Sequence, residues 1–328
     1  MDVKVKRIIE QNRTNLIDVL PLNTPFVINI DPSSACNMKC NFCFQVEDRM
    51  EHKGVMKWDL YQKIIDNIKQ FDKPLKVLRL YAFGEPLLNK RFVDMVKYAK
   101  DSSISEKIDT TTNGSFFNPE LNLRLIDSGI NRINISVYGT NDKQFLDFTS
   151  AKIDFNKYID NITHLYHNKK DCFIFIKING DAVSKEDIDK FLNIFTPISD
   201  GIAIEHVMHC WNDFDPHGVE VNKDVGVYGQ PRVEISVCPY IFYSFTIQYD
   251  GDASACFLDW NRRLIIGNVK NQTVKDIWIG AKLQSMREKM LRKERYTMDV
   301  CKVCDQLSAG QAENLDSHSK SLLKLYES

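Results

Sequence analysis

The sequence predicts an α/β chain: six strand-then-helix units building a parallel sheet, followed by a smaller C-terminal region with a β-hairpin and helices. Three observations carry this. Short β-rich runs alternate with longer helical patterns through the first two-thirds of the chain. The alternation stops at residues 208–232, a stretch rich in Gly, Pro, Asp and His. A hairpin signal, Asp250–Gly251 between two β-rich runs, comes after it.

Phe26–Asp31 (FVINID) reads as the first strand. Lys57–Phe71 is amphipathic, with Leu60, Ile64, Ile65 and Ile68 at helical spacing. Lys76–Tyr81 is a second strand, Arg91–Lys100 a helix and Lys107–Thr111 a third strand. Pro119–Ser128 is helical, with Gly129 where a helix stop belongs. Arg132–Val137, Cys172–Ile178 and Ile202–Val207 complete six strands, with helices at Asp154–Lys169 and Lys185–Phe195 between them. These lengths suit an open sheet or a curved, partly closed barrel, and in both ligands sit at the C-terminal strand ends. Beyond the irregular stretch, Phe242–Tyr249 and Ala253–Cys256 read as the hairpin. Val274–Leu291 reads as one long helix and Leu307–Tyr326 as a closing helix. The expected divisions are an extension at 1–24, a barrel-like domain at 25–232, a small domain at 233–310 and a C-terminal helix at 311–328.

Composition excludes several classes. The chain has 328 residues, 43% hydrophobic and 27% charged, with a net charge of −1. No global field favours nucleic acid or anionic lipid, and no run is long and apolar enough to span a membrane. The N-terminus lacks the apolar core of a secretory signal, so the expected compartment is the cytoplasm. Nine cysteines are then unusual, and seven of them form two groups: Cys36, Cys40 and Cys43, and Cys238, Cys256, Cys301 and Cys304. In a cytosolic chain such grouping points to metal or redox chemistry.

The first group, CNMKCNFCF, follows the first strand. Three thiolates on one loop can each bind one iron of a four-iron cluster, leaving the fourth iron free to chelate a small molecule. Zinc is the competing reading; it would want a fourth ligand close by, with His52 a candidate. Other strand ends carry AFGEPLLN, TTTNGS (Thr110–Ser115) and INISVYG. Glu85, taken alone, is also a plain helix N-terminal acid. Asn134 and Ser136 share parity and face one side of their strand.

Together, C-x3-C-x2-C with Phe42 before the third cysteine, and these strand-end motifs, resemble the radical S-adenosylmethionine (SAM) superfamily. The resemblance spans roughly residues 25–310. It implies a partial (β/α)6 TIM-like barrel whose [4Fe–4S] cluster is held by Cys36, Cys40 and Cys43. Gly84, Glu85 and Pro86 would match the family's G-G-E-P motif and take the methionine amino group of SAM. Phe83 stands where the first glycine is usual. Asn113 belongs to the T-N-G turn. Asn134 and Ser136 fall in the I-S-x-D-G segment, where Ser136 would contact the ribose or carboxylate of SAM and Tyr138 replaces the usual Asp.

In the second group the cysteines are separated by 17, 44 and 2 intervening residues. The hairpin can bring Cys238 to Cys256, and Cys301-x2-Cys304 is a good half-site for zinc or iron–sulfur. CFLDW, IIGNVKNQTVKDIW and CKVC resemble the SPASM or twitch auxiliary domains of radical SAM enzymes. No cysteine follows Cys304, which implies one auxiliary [4Fe–4S] cluster, as in the subclass typified by 2-deoxy-scyllo-inosamine dehydrogenase. A structural zinc is the alternative. Cys172 reads as a buried inert thiol. Cys210, past the sixth strand, reads as packing or as a hydrogen-atom donor.

The resemblance implies two [4Fe–4S] clusters, SAM as co-substrate and a flavodoxin or ferredoxin as reductant. A 5′-deoxyadenosyl radical would remove a hydrogen atom from a small, carbohydrate-like substrate. Loss of a proton and of an electron to the auxiliary cluster would then leave a ketone. Lys177, Glu205, His209, Asp213 and Arg232 are the candidate proton acceptors, none ranked above the others. The rivals are an epimerase using Cys210, a ribosomal-peptide maturase, for which the roughly 25 residues before the first strand are too few to form a peptide-recognition domain, and a zinc-stapled binding protein.

Overall fold

The computed structural model describes residues 13–47, 50–209, 214–221, 223–310 and 312–327. Nine strands form one sheet: β1 Val27–Ile30, β2 Leu75–Leu80, β3 Ser105–Thr112, β4 Arg132–Val137, β5 Phe173–Asn179, β6 Gly201–Glu205, β7 Ser244–Ile247, β8 Asp252–Ser254 and β9 Ile265–Asn268. Their order is β6-β5-β4-β3-β2-β1-β7-β8-β9. The first six pair in parallel in chain order, and helices fill the connections: α1 Trp58–Ile68, α2 Phe92–Asp101, α3 Pro119–Asp127, α4 Asp142–Thr149, α5 Phe155–Asn168 and α6 Lys185–Phe195. This is the expected partial (β/α)6 barrel. It stays open, because β6 ends the sheet and β1 turns to β7 instead.

Alternation along the strands divides apolar from polar. Ile28, Ile30, Leu78, Leu80, Ile108, Ile133, Ile135, Ile174 and Ile176 are buried in the main core with Ile64, Ile65, Met95, Leu125, Ile162 and Phe191 of the helices. Each such side chain contributes about 1.5–3 kcal/mol relative to exposure. The opposite parity carries Asn29, Arg79, Asp109, Arg132, Asn134, Ser136, Lys177 and Glu205, so the lumen is polar.

The C-terminal region continues the same sheet. β7 lies parallel to β1, with Val27 opposite Ser244 and Ile30 opposite Ile247, and β8 and β9 follow antiparallel. Gly251, at φ +96°, makes the expected turn after Asp250. The remaining elements are α7 Tyr240–Tyr243, α8 Val274–Ile279, α9 Ala281–Leu291, α10 Asp299–Lys302, α11 Gln306–Ala309 and α12 Ser319–Tyr326. Trp278 locks this region to the barrel: it is fully buried, stacks on Phe245 at 5.8 Å and donates Nε1–H to the Leu22 carbonyl.

Four expectations need correction. The hairpin strands are shorter than Phe242–Tyr249 and Ala253–Cys256, because Phe242 belongs to the turn α7 and Cys256 lies beyond β8. IIGN is a third strand, β9, packed against the helix it precedes. The long helix Val274–Leu291 breaks at Gly280, whose ψ of 150° is extended. The closing helix Leu307–Tyr326 is only Ser319–Tyr326, with the separate turn α11 before it. In addition, α4 went unread; its cap, Asn141, accepts from Gln144 N–H, but Asp142–Thr149 buries only Phe145 and Thr149. No helix among the described residues is long and apolar enough to cross a membrane.

Candidate functional site

Cys36, Cys40 and Cys43 sit on the loop after β1, and all three thiols are free. Two backbone bonds pin that loop to the end of α4: Lys39 N–H to the Thr149 carbonyl (2.8 Å) and Asn41 N–H to the Phe148 carbonyl (3.0 Å). Burial pushes Cys36 up to about 11 and Cys43 up to about 12. Cys40 rises well above its ordinary value through burial and the neighbouring Cys43 and Cys36 charges. Thiols so largely shielded, two of them also opposed by a neighbouring cysteine charge, are poor thiolates on their own. A cluster of iron reverses that balance, because a bound cation deprotonates its thiol ligands. The donor chemistry therefore fits the implied cluster. Among the described residues no three His, Cys, Asp or Glu side chains form a single-ion site. Ligands of a four-iron cluster bind different irons and stand further apart. His52 is exposed.

The β2 loop closes on the cysteine loop. A Cβ on Gly84 would lie 2.3 Å from the Ala35 carbonyl oxygen and 2.4 Å from that of Ser33, so only glycine permits this approach. Glu85 is buried. Its carboxylate accepts from Thr112 Oγ1 (2.7 Å), Asn113 N–H (2.8 Å) and Leu87 N–H (3.0 Å), the last capping the short turn Pro86–Leu88. Burial raises it to about 7, against those three donors. Glu85 is thus a cap, as its position alone allowed, and it also ties the β2 loop to the β3 turn. Asn113 completes the tie by donating Nδ2–H to Asn37 beside Cys36 (2.9 Å).

From β4, Asn134 is occupied within the sheet: it donates to the Thr110 carbonyl and Thr111 Oγ1 and accepts from Arg132 Nε. Ser136, half-buried, lies two residues nearer the strand end. Tyr138 stacks on Phe42 at 6.0 Å, and burial, with the neighbouring Cys40 charge, raises its hydroxyl well above its ordinary value.

Cys238, Cys256, Cys301 and Cys304 converge on one cavity with apolar walls that include Ile241, Leu258 and Met290. Burial raises all four; next in effect, the Cys304 charge raises Cys238, Cys256 and Cys301. Sulfur-directed donors are already in place, such as Leu258 N–H to Cys256 Sγ at 3.3 Å. Buried Asp259 shapes this loop by accepting from Ser254 Oγ, Arg263 N–H and Leu264 N–H. The two cysteine regions meet at a separate apolar cluster: Phe44, one residue after Cys43, stacks on Trp260 at 4.9 Å and lies edge-on to Phe83 at 6.2 Å. Phe83, in the place of a family glycine, is thus the packing partner of the auxiliary region.

The proton-acceptor candidates separate. Lys177 Nζ donates to Glu205 Oε2 (2.8 Å) and Tyr228 donates to Oε1 (3.2 Å), forming one lumen cluster at the ends of β5 and β6. His209 pairs at 3.2 Å with Asp215, whose side chain is 90% exposed. Arg232 pairs with Asp305 and Ser308, bracing the crossing segment against the CKVC turn, not the lumen. Cys210 and Asp213 lie outside the described residues. Sequence reasoning missed Arg79, Asp109, Arg132 and Tyr228. Arg79 faces Asp109, and Asp109 faces Arg132, across three adjacent strands. Arg79 keeps 38% of its side chain open although strands surround it. The available signal was the alternation of charged and β-branched residues in these strands.

Comparison with known proteins gives two family matches. The radical SAM superfamily matches residues 30–195, and SPASM, an iron–sulfur cluster-binding domain, matches residues 238–305. The AdoMet-dependent heme synthase of Methanosarcina barkeri is 21% identical over 326 residues, covering 86% of this chain and 89% of the relative. The S-adenosyl-L-methionine-dependent 2-deoxy-scyllo-inosamine dehydrogenase of Niallia circulans is 19% identical over 290 residues, covering 88% and 96%. The structure of BtrN in complex with AdoMet and 2-DOIA aligns with a TM-score of 0.60 at 19% identity, over 89% of this chain and 97% of that one. SuiB of Streptococcus suis bound to S-adenosylmethionine aligns with a TM-score of 0.65 at 15% identity, over 88% and 74%. At these identities the structures speak to the fold.

Proposed function

The chain belongs to the radical SAM superfamily, and from that premise we propose that it oxidises a secondary alcohol of a carbohydrate-like small molecule to a ketone. It is an enzyme, and its cofactors are S-adenosylmethionine and iron–sulfur clusters. The observation that carries the dehydrogenase reading is the convergence of all four C-terminal cysteines on one cavity. Four thiolates saturate a cluster and leave no open iron, which suits electron acceptance and not substrate chelation. The dehydrogenase relative, matched over nearly its whole length, supports the same reading.

When bound, S-adenosylmethionine supplies a 5′-deoxyadenosyl radical for hydrogen-atom removal, and the auxiliary cluster supplies an electron acceptor. Cys36, Cys40 and Cys43 would hold the first cluster, and Cys238, Cys256, Cys301 and Cys304 the second. The chain's other residues position and protect. Glu85, already near neutral pH by burial, would be held ionised by a cationic amino group. Gly84 and Pro86 set the backbone there, and Asn113 fixes the turn beside it. Ser136 is the remaining half-buried hydroxyl on β4. The stacked pairs Phe42–Tyr138 and Phe44–Trp260 place aromatic rings beside the first cysteines, the second packing against Cys43.

Oxidation also needs a base. Glu205 is the proton acceptor in this account, since its two oxygens are oriented by Lys177 and Tyr228 and each retains a lone pair for a substrate hydroxyl. The test is an anaerobic assay of the reduced holoenzyme with S-adenosylmethionine and a panel of aminocyclitols, sugars and nucleotide-sugars. The expected result is 5′-deoxyadenosine with a product lighter by two hydrogen atoms. A product of unchanged mass would instead indicate epimerisation and overturn the reading.

A further inference from the structure

The lumen of the barrel holds a second polar cluster besides Lys177, Glu205 and Tyr228. Arg79 on β2 and Arg132 on β4 each stand opposite Asp109 on β3 in the strand register. The Arg132 guanidinium lies 5.1 Å from the ring centroids of both Phe173 and Phe175, and its Nε–H donates to Asn134 Oδ1 at 2.8 Å. Two rings and one hydrogen bond therefore orient its plane. Arg79 is less committed. Its Nε has no hydrogen-bond partner among the described residues, and the Asp109 carboxylate stands 3.8 Å away. Yet 38% of its side chain is open, although paired strands lie on both sides of it.

Charge does not balance in this layer. Lys177 and Glu205 neutralise each other across 2.8 Å. Arg79 and Arg132 flank a single carboxylate, which leaves one positive charge in excess. Burial holds Arg132 below its ordinary value, and Arg79 pushes the same way against Asp109, Tyr81 and Tyr228. Two guanidiniums kept close enough to repel each other, inside a barrel, call for an anion between them. The two lumen clusters are neighbours, since Tyr228 donates to Glu205 and also acts on Arg132. Arg132 and Ser136 share one face of β4, and Ser136 stands opposite Lys177. At about 3.3 Å per residue, roughly 13 Å of strand separates the arginine layer from the level of Lys177. An elongated molecule can therefore reach both.

We propose that the substrate carries an oxyanion, a carboxylate or a phosphate, which Arg79 and Arg132 bind while the alcohol lies at Glu205. The inference rests on the lumen being the substrate site and narrows the carbohydrate-like class to its acidic members. A guanidinium fork matches both oxyanions in shape, and Asp109 holds the two forks apart until one arrives. S-adenosylmethionine has a carboxylate of its own. The cysteine loop and the Gly84–Glu85–Pro86 turn lie beyond the C-terminal ends of β1 and β2, whereas both arginines lie within their strands, so the anion is the substrate's.

The experiment titrates holoenzyme, with S-adenosylmethionine already bound, with inorganic phosphate and with acetate by calorimetry. Binding of phosphate alone assigns a phosphate ester and binding of acetate alone a carboxylate; both outcomes support the site. Arg79→Gln and Arg132→Gln should each weaken the bound anion by roughly 10–100-fold, with Arg79→Lys in between. Asp109→Asn removes the competing charge without touching a cation and should tighten binding, a gain that a purely structural ion pair would not give. Arg124→Gln on the exposed face of α3 is the charge control and should bind as wild type does. In turnover, sugars are compared with the matching uronic acids and sugar phosphates; only the acidic members should react, and the arginine variants should raise KM far more than they lower kcat. Wild-type protein that binds neither anion overturns the proposal. So do unchanged anion affinity in both arginine variants, weakened binding in Asp109→Asn, loss of S-adenosylmethionine binding in place of anion binding, and neutral sugars that react as fast as their acidic counterparts. A product of unchanged mass would defeat the oxidation but not this inference, because the titration reads the anion without turnover.

Discussion

Tyr138, like Phe83, stands where the motif it resembles has another residue, and it gains a specific contact. Its hydroxyl lies close enough to Cys40, Cys36 and Cys43, the proposed cluster ligands, to feel their charges, while Phe42 and Phe145 hold its ring. Hydrogen bonds to ligand sulfurs favour the reduced cluster and raise its potential. Tyr138→Phe removes a donor from beside these sulfurs and is expected to lower the potential of the first cluster by roughly 65–130 mV, the one-electron equivalent of about 1.5–3 kcal/mol for a hydrogen bond to a charged group. An EPR-monitored redox titration reads this directly. Asp31, at the end of β1, offers a pH test. It is fully buried, accepts one bond from Phe83 N–H and leaves Oδ2 without a partner among the described residues. Burial raises it to about 7. Its folded value lies above its unfolded one, so the folded state binds the extra proton. Stability from this residue is full below about pH 4 and is lost as pH rises through 7, by on the order of 4 kcal/mol. Asp31→Asn should remove that slope in denaturant unfolding measured from pH 4 to 8; an identical slope in both proteins would contradict it.

At the scale of elements, the loop after β1 depends on two neighbours. One is the β2 loop. Gly84→Ala places a methyl inside contact distance of two backbone carbonyls, which cannot retreat without moving Cys36. That variant should lose the iron of the first cluster, about half the total, while the auxiliary iron stays. Metal analysis with EPR of the remaining centre checks it. The other neighbour is α4, whose last carbonyls hold Lys39 and Asn41. Asn141→Ala removes its cap and should cost about 1 kcal/mol, read as lower thermal stability and faster hydrogen exchange in the cysteine loop. The strands were legible in the sequence because their β-branched runs are short and buried on one face. α4 was not, since only Phe145 and Thr149 of its residues are buried and apolar periodicity is nearly absent. The break at Gly280 was hidden for the opposite reason: apolar positions continue on both sides, and one extended residue re-aims them.

At the scale of the molecule, one sheet carries both cysteine groups. β1 leads to Cys36 and pairs with β7, whose preceding turn α7 follows Cys238. The two groups are thereby held in fixed relation, with Phe44–Trp260 between them and a polar lumen beside them. The cysteine groups were readable from spacing, because ligation demands sulfur whatever the surroundings. The Lys177–Glu205–Tyr228 cluster was only half readable: Lys177 and Glu205 sit at strand ends, but Tyr228 arrives from the irregular crossing segment, which no periodicity places. Glu205→Gln, which keeps both hydrogen-bonding neighbours but cannot take a proton, should leave 5′-deoxyadenosine formation in place. Ketone formation should fall by about 10²–10⁴-fold. The most direct test of the whole account pairs iron analysis with turnover in Cys301→Ala/Cys304→Ala. About eight irons are expected in wild type and about four in the variant, with SAM cleavage retained and ketone formation lost. Zinc in place of iron at the second site, or full ketone formation by a variant lacking that iron, would contradict it.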